Sequence, residues 1–193
     1  MSNELSSFGD TVSATVTRGA GQSDEFALIG RFQAECFDEQ GNLKWSDHID
    51  NLTTNVGRQN LLTFYFISPS STNAIVMGLM GTGSPSYTDT QSSHSSWNEV
   101  GGTNAPTYSG TRKTPSFSAV TNANPAVLST SAAVVFSMTS SGTVAGAFIN
   151  VGGSSTIDNT TGILFSAGDF SAGSKTVSSG DTINVTYTLS ANG

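Results

Sequence analysis

With 193 residues, a formal charge of −7 and only 11% charged residues, the chain can bury the core of one domain but lacks the cation clusters that phosphate-driven nucleic-acid binding requires. Seven Lys and Arg stand against 14 Asp and Glu, and nine of those acids fall within the first 50 residues. From Thr114 through Ile157, 44 residues pass without one Asp, Glu, Lys, Arg or His, which denies that stretch the groups used in acid–base, metal or phosphate chemistry.

Residues 1–25 are polar and rich in Gly and Ser, and read as an N-terminal arm with a possible first strand at Thr11–Thr17. The opening Met-Ser-Asn-Glu-Leu has neither the basic start nor the apolar core of a signal peptide, so synthesis in a cytoplasm without export by such a signal is expected. No apolar run approaches the ~20 residues of a membrane span. Residues 26–193 are expected to form one all-β domain, an antiparallel β-sandwich of jelly-roll-like form with one short helix.

Phe26–Phe37 alternates as a strand, and Asp38-Glu39-Gln40-Gly41-Asn42 is a turn by composition. Leu43–Ile49 returns as the second arm of a hairpin. The single cysteine, Cys36, sits in the alternating run Phe26, Leu28, Phe32, Ala34, which marks it as a small buried hydrophobe and excludes an internal disulfide. Val56–Phe66 carries a stripe of Val56, Asn60, Leu61, Phe64 and Tyr65 at helical spacing. Asn55 is its expected N-cap, Ser68-Pro69-Ser70 its stop, and its apolar surface predicts a largely covered helix plugging one end of the sandwich.

Ala74–Met80 reads as a short buried strand. Gly81–Ser116 is a long loop of Gly, Ser, Thr and Pro carrying Tyr87, Trp97 and Tyr108, and a loop of that length in a compact domain is usually functional. Further strands are predicted near Ser116–Val120, Val127–Met138, Thr143–Val151, Gly162–Phe170, Ser174–Val177 and Thr182–Leu189. The last alternates cleanly, with Ile183, Val185, Tyr187 and Leu189 inward and Asn184, Thr186 and Thr188 outward. No repeat of 20–50 residues is visible.

Reactive constellations are sparse. His48 and His94 with Asp47, Asp50, Asp89 and Glu99 are the only material for a metal site, and their spacing matches no ligand pattern, so polar surface contacts are the expected role. Serines are many, but no Gly-x-Ser-x-Gly elbow is present. The acids cluster in polar turns and do not suggest a glycosidase pair. Gly78-Leu79-Met80-Gly81-Thr82-Gly83 has no following Lys and reads as a strand leaving the core. No enzyme and no cofactor are expected. The set Trp97, Glu99, Tyr108 and Arg112, with Tyr87, is of a different kind, because Trp, Tyr and Arg anchor interfaces. A second reading stands beside it: Trp97 covers the edge of the core and Arg112 pairs with Glu99.

The ordered series Trp45…Asp47…Asn51-Leu52…Val56-Gly57…Leu61-Leu62, then Met77-Gly78-Leu79…Gly81, His94-Ser-Ser-Trp97-Asn-Glu99 and Tyr108…Arg112, resembles a pattern of tailed-bacteriophage virion proteins. Gly146-Ala147-Phe148, Gly162…Leu164-Phe165…Gly168…Phe170 and Val177-Ser-Ser-Gly180-Asp181-Thr-Ile183 continue it, so that it spans roughly residues 43–189. The resemblance is to head decoration, or cement, proteins. It implies a small β-sandwich on the capsid surface that bridges major capsid proteins, with no catalytic residues, assembled as a homodimer or homotrimer in the virion after synthesis in a bacterial host. It is also compatible with a tail-fibre or collar component. A separate expectation is a carbohydrate-binding module, in which Trp97, Tyr87 and Tyr108 form a stacking platform for a glycan.

Overall fold

The computed structural model describes residues 27–67 and 74–192, so the arm, the strand expected at Thr11–Thr17 and the Ser68-Pro69-Ser70 stop lie outside the described residues. The described chain folds as an antiparallel β-sandwich with one helix. β1 (Ala27–Phe37) and β2 (Leu43–Thr53) form the expected hairpin, with the Asp38 side chain accepting bonds from the backbone N–H groups of Gln40 and Asn42 to close the turn. Helix α1 (Asn55–Phe66) follows, then β3 (Ile75–Gly83) and β4 (Trp97–Val100). The charge-free stretch supplies β5 (Ala126–Ser129), β6 (Val134–Ser137), β7 (Gly142–Val144) and β8 (Gly146–Val151). β9 (Ile163–Asp169), β10 (Lys175–Val177) and β11 (Thr182–Asn192) complete the fold.

The hydrogen-bonded order is β4-β3-β8-β9-β2-β1-β11-β5, with β6 also on β11 and a separate β7–β10 pair. β2 belongs to both leaves: residues from Leu43 to Asn51 pair with β1, whereas Leu52 and Thr53 pair with β9. One leaf is therefore β2-β1-β11 with β5 and β6, and the other is β9-β8-β3-β4. Their inner faces share one core, in which Phe32, Ile49, Phe136 and Val185 of the first leaf meet Met77, Leu79, Ile149 and Phe165 of the second. This pairing establishes the sandwich and not a jelly-roll wrapping.

β11 keeps the expected register. Ile183, Val185 and Tyr187 are 0%, 0% and 2% exposed, and Thr186 faces solvent. Burying three such side chains contributes about 5–9 kcal/mol, comparable to the ~5–15 kcal/mol net stability of a domain. A one-residue slip would expose all three, so the alternation alone fixes the pairing.

Several expectations shift. Thr54, not Asn55, caps α1: its Oγ accepts from the Gly57 N–H at 3.0 Å and also donates to the Leu164 carbonyl. The Asn55 amide oxygen instead accepts from Arg58 at 2.7 Å. A threonine capping the helix while bonded to β9 ties helix start to sheet, which a free Asn cap would not do. The helix packs on β9, and Gly57 lies so close that an added Cβ would sit 2.4 Å from the Phe165 carbonyl oxygen. It is less covered than expected, because Leu62 is 57% exposed. The predicted strand at Ser116–Val120 is a single bridge, Phe117 to Thr130, and the runs over 127–138 and 143–151 each divide into two strands.

Candidate functional site

The segment 81–116 is not a free loop: β4 extends the edge of the second leaf on β3, Val100 and Tyr108 enter the shared core, and the stretch around Asp89, His94 and Trp97 forms a third layer over the outer face of that leaf. On that face Met80, Phe148, Leu164 and Ala167 form a second apolar cluster, and β4 adds Trp97 to it. Trp97 is held on three sides: its indole N–H donates to Asp89 at 2.9 Å, the His94 ring stacks on it at 3.9 Å, and Phe148 packs at 5.5 Å. Asp89 also accepts from the Ser86 N–H, so a single buried carboxylate ties the turn at 86–89 to the tryptophan.

Two positions beyond Trp97 on β4, Glu99 points to the same face and meets Arg112. Arg112 Nε donates to Glu99 Oε1 at 2.8 Å and Nη2 to Oε2 at 2.6 Å. Nη1 and Nη2 also donate to the carbonyls of Ser154 and Asn159 at 3.0 and 2.7 Å, and Glu99 accepts from the Asp158 N–H at 3.0 Å. The two side chains are 0% and 3% exposed, and the guanidinium lies 5.5 Å from the Phe148 ring centre. This bidentate pair fastens the 154–159 loop to β4 across a large sequence separation. Tyr108 packs edge-on against Phe136 at 5.0 Å and over Gly101, whose φ of +112° and lack of Cβ are both required there. Burial raises the Tyr108 phenol, with the Glu99 carboxylate adding to the effect.

Trp97, Glu99, Tyr108 and Arg112 are each 5% exposed or less, so as interface anchors they are corrected: their area is already buried inside the fold, and the Glu99–Arg112 pairing weighed beside that reading is what the chain forms. Tyr87 alone remains available, 55% exposed. The three-aromatic sugar platform is not assembled either, because Trp97 and Tyr108 are internal and Tyr87 stands elsewhere, beside α1. There Arg58 lies 5.4 Å from the Tyr87 ring, and the two line a groove of about 360 Å³ with Leu28, Leu52, Leu61 and Leu62.

The third layer leaves a cleft of about 420 Å³ between the 91–98 turn, Asn104 and the 158–160 loop. His94 Nδ1 sits 3.1 Å from the Trp97 carbonyl oxygen, which can only accept, so Nδ1 carries a proton and donates, leaving Nε2 outside that bond. Asp158 adopts φ +62°, a left-handed conformation among non-glycine residues, and its Oδ2 accepts from the Thr103 N–H at 2.8 Å.

A further group of ionisable side chains gathers around Asp47. Asp47 accepts from Lys175 at 2.7 Å, Ser171 at 2.6 Å and the N–H groups of His48 and Ala172. Burial alone would raise its carboxyl, but these donors outweigh that and hold it well below the usual carboxylate range. Ser171 also lies 3.3 Å from His48 Nδ1 and His48 Nε2 is 3.7 Å from Asp50, a Ser–His–Asp grouping assembled from residues 123 apart in the chain. The Ser171 hydroxyl donates to Asp47 at 2.6 Å, the shorter of its two contacts. Among the described residues no three His, Cys, Asp or Glu come together in a way that suits a metal ion, and no helix is long and apolar enough to cross a membrane. Comparison with known protein families, curated proteins and solved structures finds no match to this chain.

Asn104 and Asp158 escaped the sequence reading as parts of one site with His94. The one visible hint was Asp158, the first charge after 44 neutral residues.

Proposed function

We propose that this protein is a non-catalytic virion structural subunit, a bacteriophage cement or decoration protein that binds the outside of a head and bridges major capsid proteins. The observation that carries the reading is how its chemistry is distributed: the buried Asp, Glu and Arg side chains are each committed to internal partners, while apolar area is left at the surface beside α1. Exposed Tyr87 with Arg58 over its ring, in a groove with Leu62, itself 57% exposed, is the residue chemistry of an interface anchor. A stable interface buries about 1,200–2,000 Å² in total, and repetition around a symmetric shell multiplies a modest contact through avidity. The ordered likeness to phage virion proteins supports the same reading, and a jelly-roll wrapping and a dimer or trimer on a symmetry axis belong to it.

The test is co-sedimentation of the purified chain with heads lacking it, comparing wild type with Tyr87→Ala and Leu62→Asp. Binding that is lost in both variants, with unchanged melting, is the expected result. Absence of the protein from purified virions by mass spectrometry would end the proposal. A tail-fibre or collar position is the alternative of the same class, and antibody labelling over the tail instead of the head faces would select it.

A further inference from the structure

We propose that the cleft between His94, Asn104 and Asp158 binds a neutral sugar. Its chemistry narrows the ligand by exclusion. Among the described residues no Lys or Arg lines it, which removes the attraction that phosphate, sulfate or a uronic acid needs. No aliphatic side chain lines it either, so a lipid tail has nothing to pack on. Amides, hydroxyls, one imidazole, the Trp97 indole and two carboxylates remain, of which Glu99 is already committed to Arg112, around a volume of about 420 Å³ that falls within the ~300–1,000 Å³ of ordinary ligand sites.

The polar groups are fixed at one end and open at the other. Asn159 Oδ1 accepts from the Thr161 N–H at 2.9 Å, which leaves its amide N–H groups as donors. Asn104 donates its Nδ2 to the Glu99 carbonyl at 2.9 Å and keeps its Oδ1. Asp158 holds the Thr103 N–H with Oδ2 and keeps Oδ1. With His94 Nε2, the lining thus offers a donor amide, acceptors from an amide and a carboxylate, and an imidazole nitrogen. Sugar hydroxyls both donate and accept, and so can satisfy a mixed set of this kind. The anchoring bonds pre-set the side chains, which lowers the ordering cost of binding. The His94 ring, backed by Trp97 at 3.9 Å and 19°, supplies a flat surface for the C–H face of the ring. Asp158 is held in its left-handed backbone by the Glu99 contact to its N–H, so the internal ion pair also sets the cleft wall.

This site differs from the three-aromatic platform expected from sequence and does not depend on where the protein sits in a particle. The experiment uses the full chain carrying Trp45→Phe, so that Trp97 is the single indole reporter, titrated with glucose, galactose, mannose and N-acetylglucosamine. Glucuronic acid and inorganic phosphate serve as anionic probes, and saturation-transfer NMR reports contact independently of fluorescence. At least one neutral sugar is expected to bind saturably and at least tenfold more tightly than either anion. Asp158→Asn keeps the left-handed backbone and the Thr103 bond while removing the charged acceptor, and should weaken binding about tenfold or more without lowering the melting temperature. His94→Ala should weaken it similarly, and if that variant unfolds Asp158→Asn decides. No saturation transfer from any neutral sugar, equal affinity in Asp158→Asn, or binding of either anion as tight as the sugars would overturn the proposal and leave the virion reading untouched.

Discussion

Replacing Arg112 with Met tests whether the third layer is held by the Glu99–Arg112 pair. The change keeps much of the side-chain volume and removes four bonds: two to Glu99 and one each to the carbonyls of Ser154 and Asn159. Glu99, 3% exposed, is left as an unpaired buried carboxylate with only the Asp158 N–H for company. Breaking one side of a buried pair costs about 3–5 kcal/mol. With a urea slope of about 2 kcal/mol/M for a domain of this size, the midpoint should fall by about 1.5–2.5 M. Arg31–Asp50 is the internal control, an ion pair whose partners are 57% and 65% exposed, and Arg31→Met should move the midpoint by under about 0.5 M. Adding Glu99→Leu to Arg112→Met removes the stranded charge and should restore most of the loss, leaving about 1–2 kcal/mol for the abandoned backbone groups. Arg112→Met within the range of Arg31→Met, or a double variant no better than the single, would show that the pair does not hold the layer.

Val185→Asp should cost several kcal/mol by placing a charge in the shared core, and Thr186→Asp under ~1 kcal/mol; equal losses in thermal melts would mean that β11 is out of register. Asp47 is held ionised in the fold below its unfolded value near ~3.9, so its stabilisation is complete at neutral pH and disappears as pH falls below about 4. Asp47→Asn should be less stable at pH 7 and lose less on acidification to pH 3 than wild type, and parallel melting curves would contradict this. Burial, reinforced by the Asp181 carboxylate, pushes the Cys36 thiol up to about 12. Iodoacetamide at pH 8 should therefore label Cys36 only after denaturant is added, and rapid labelling of the native protein would refute that placement.

Strands whose residues alternate strictly were legible before any coordinates. β1 and β11 declare their faces because each is buried on one side, and period-two patterning is then unambiguous. β8 is not of this kind: Ala147 and Ile149 enter the sandwich core while Phe148 enters the second cluster, so both faces are covered and the alternation vanishes. The same double covering hid the third layer. Glu99 and Arg112 are 13 residues apart in a segment rich in Gly and Ser, and nothing local reveals that β4 lies inside it. The cleft was still less accessible to sequence reasoning, because Asp158 reaches Glu99 from 59 residues away. The helix cap went to Thr54 for a tertiary reason, its bond to β9, which propensity cannot see.

Sharing β2 between the leaves has a mechanical consequence. Force applied to either leaf passes to the other along covalent main chain at Asn51–Leu52, not only through side-chain friction. Sliding one leaf past its mate demands that this strand first unzip from a neighbour, which makes the molecule stiff against lateral loading.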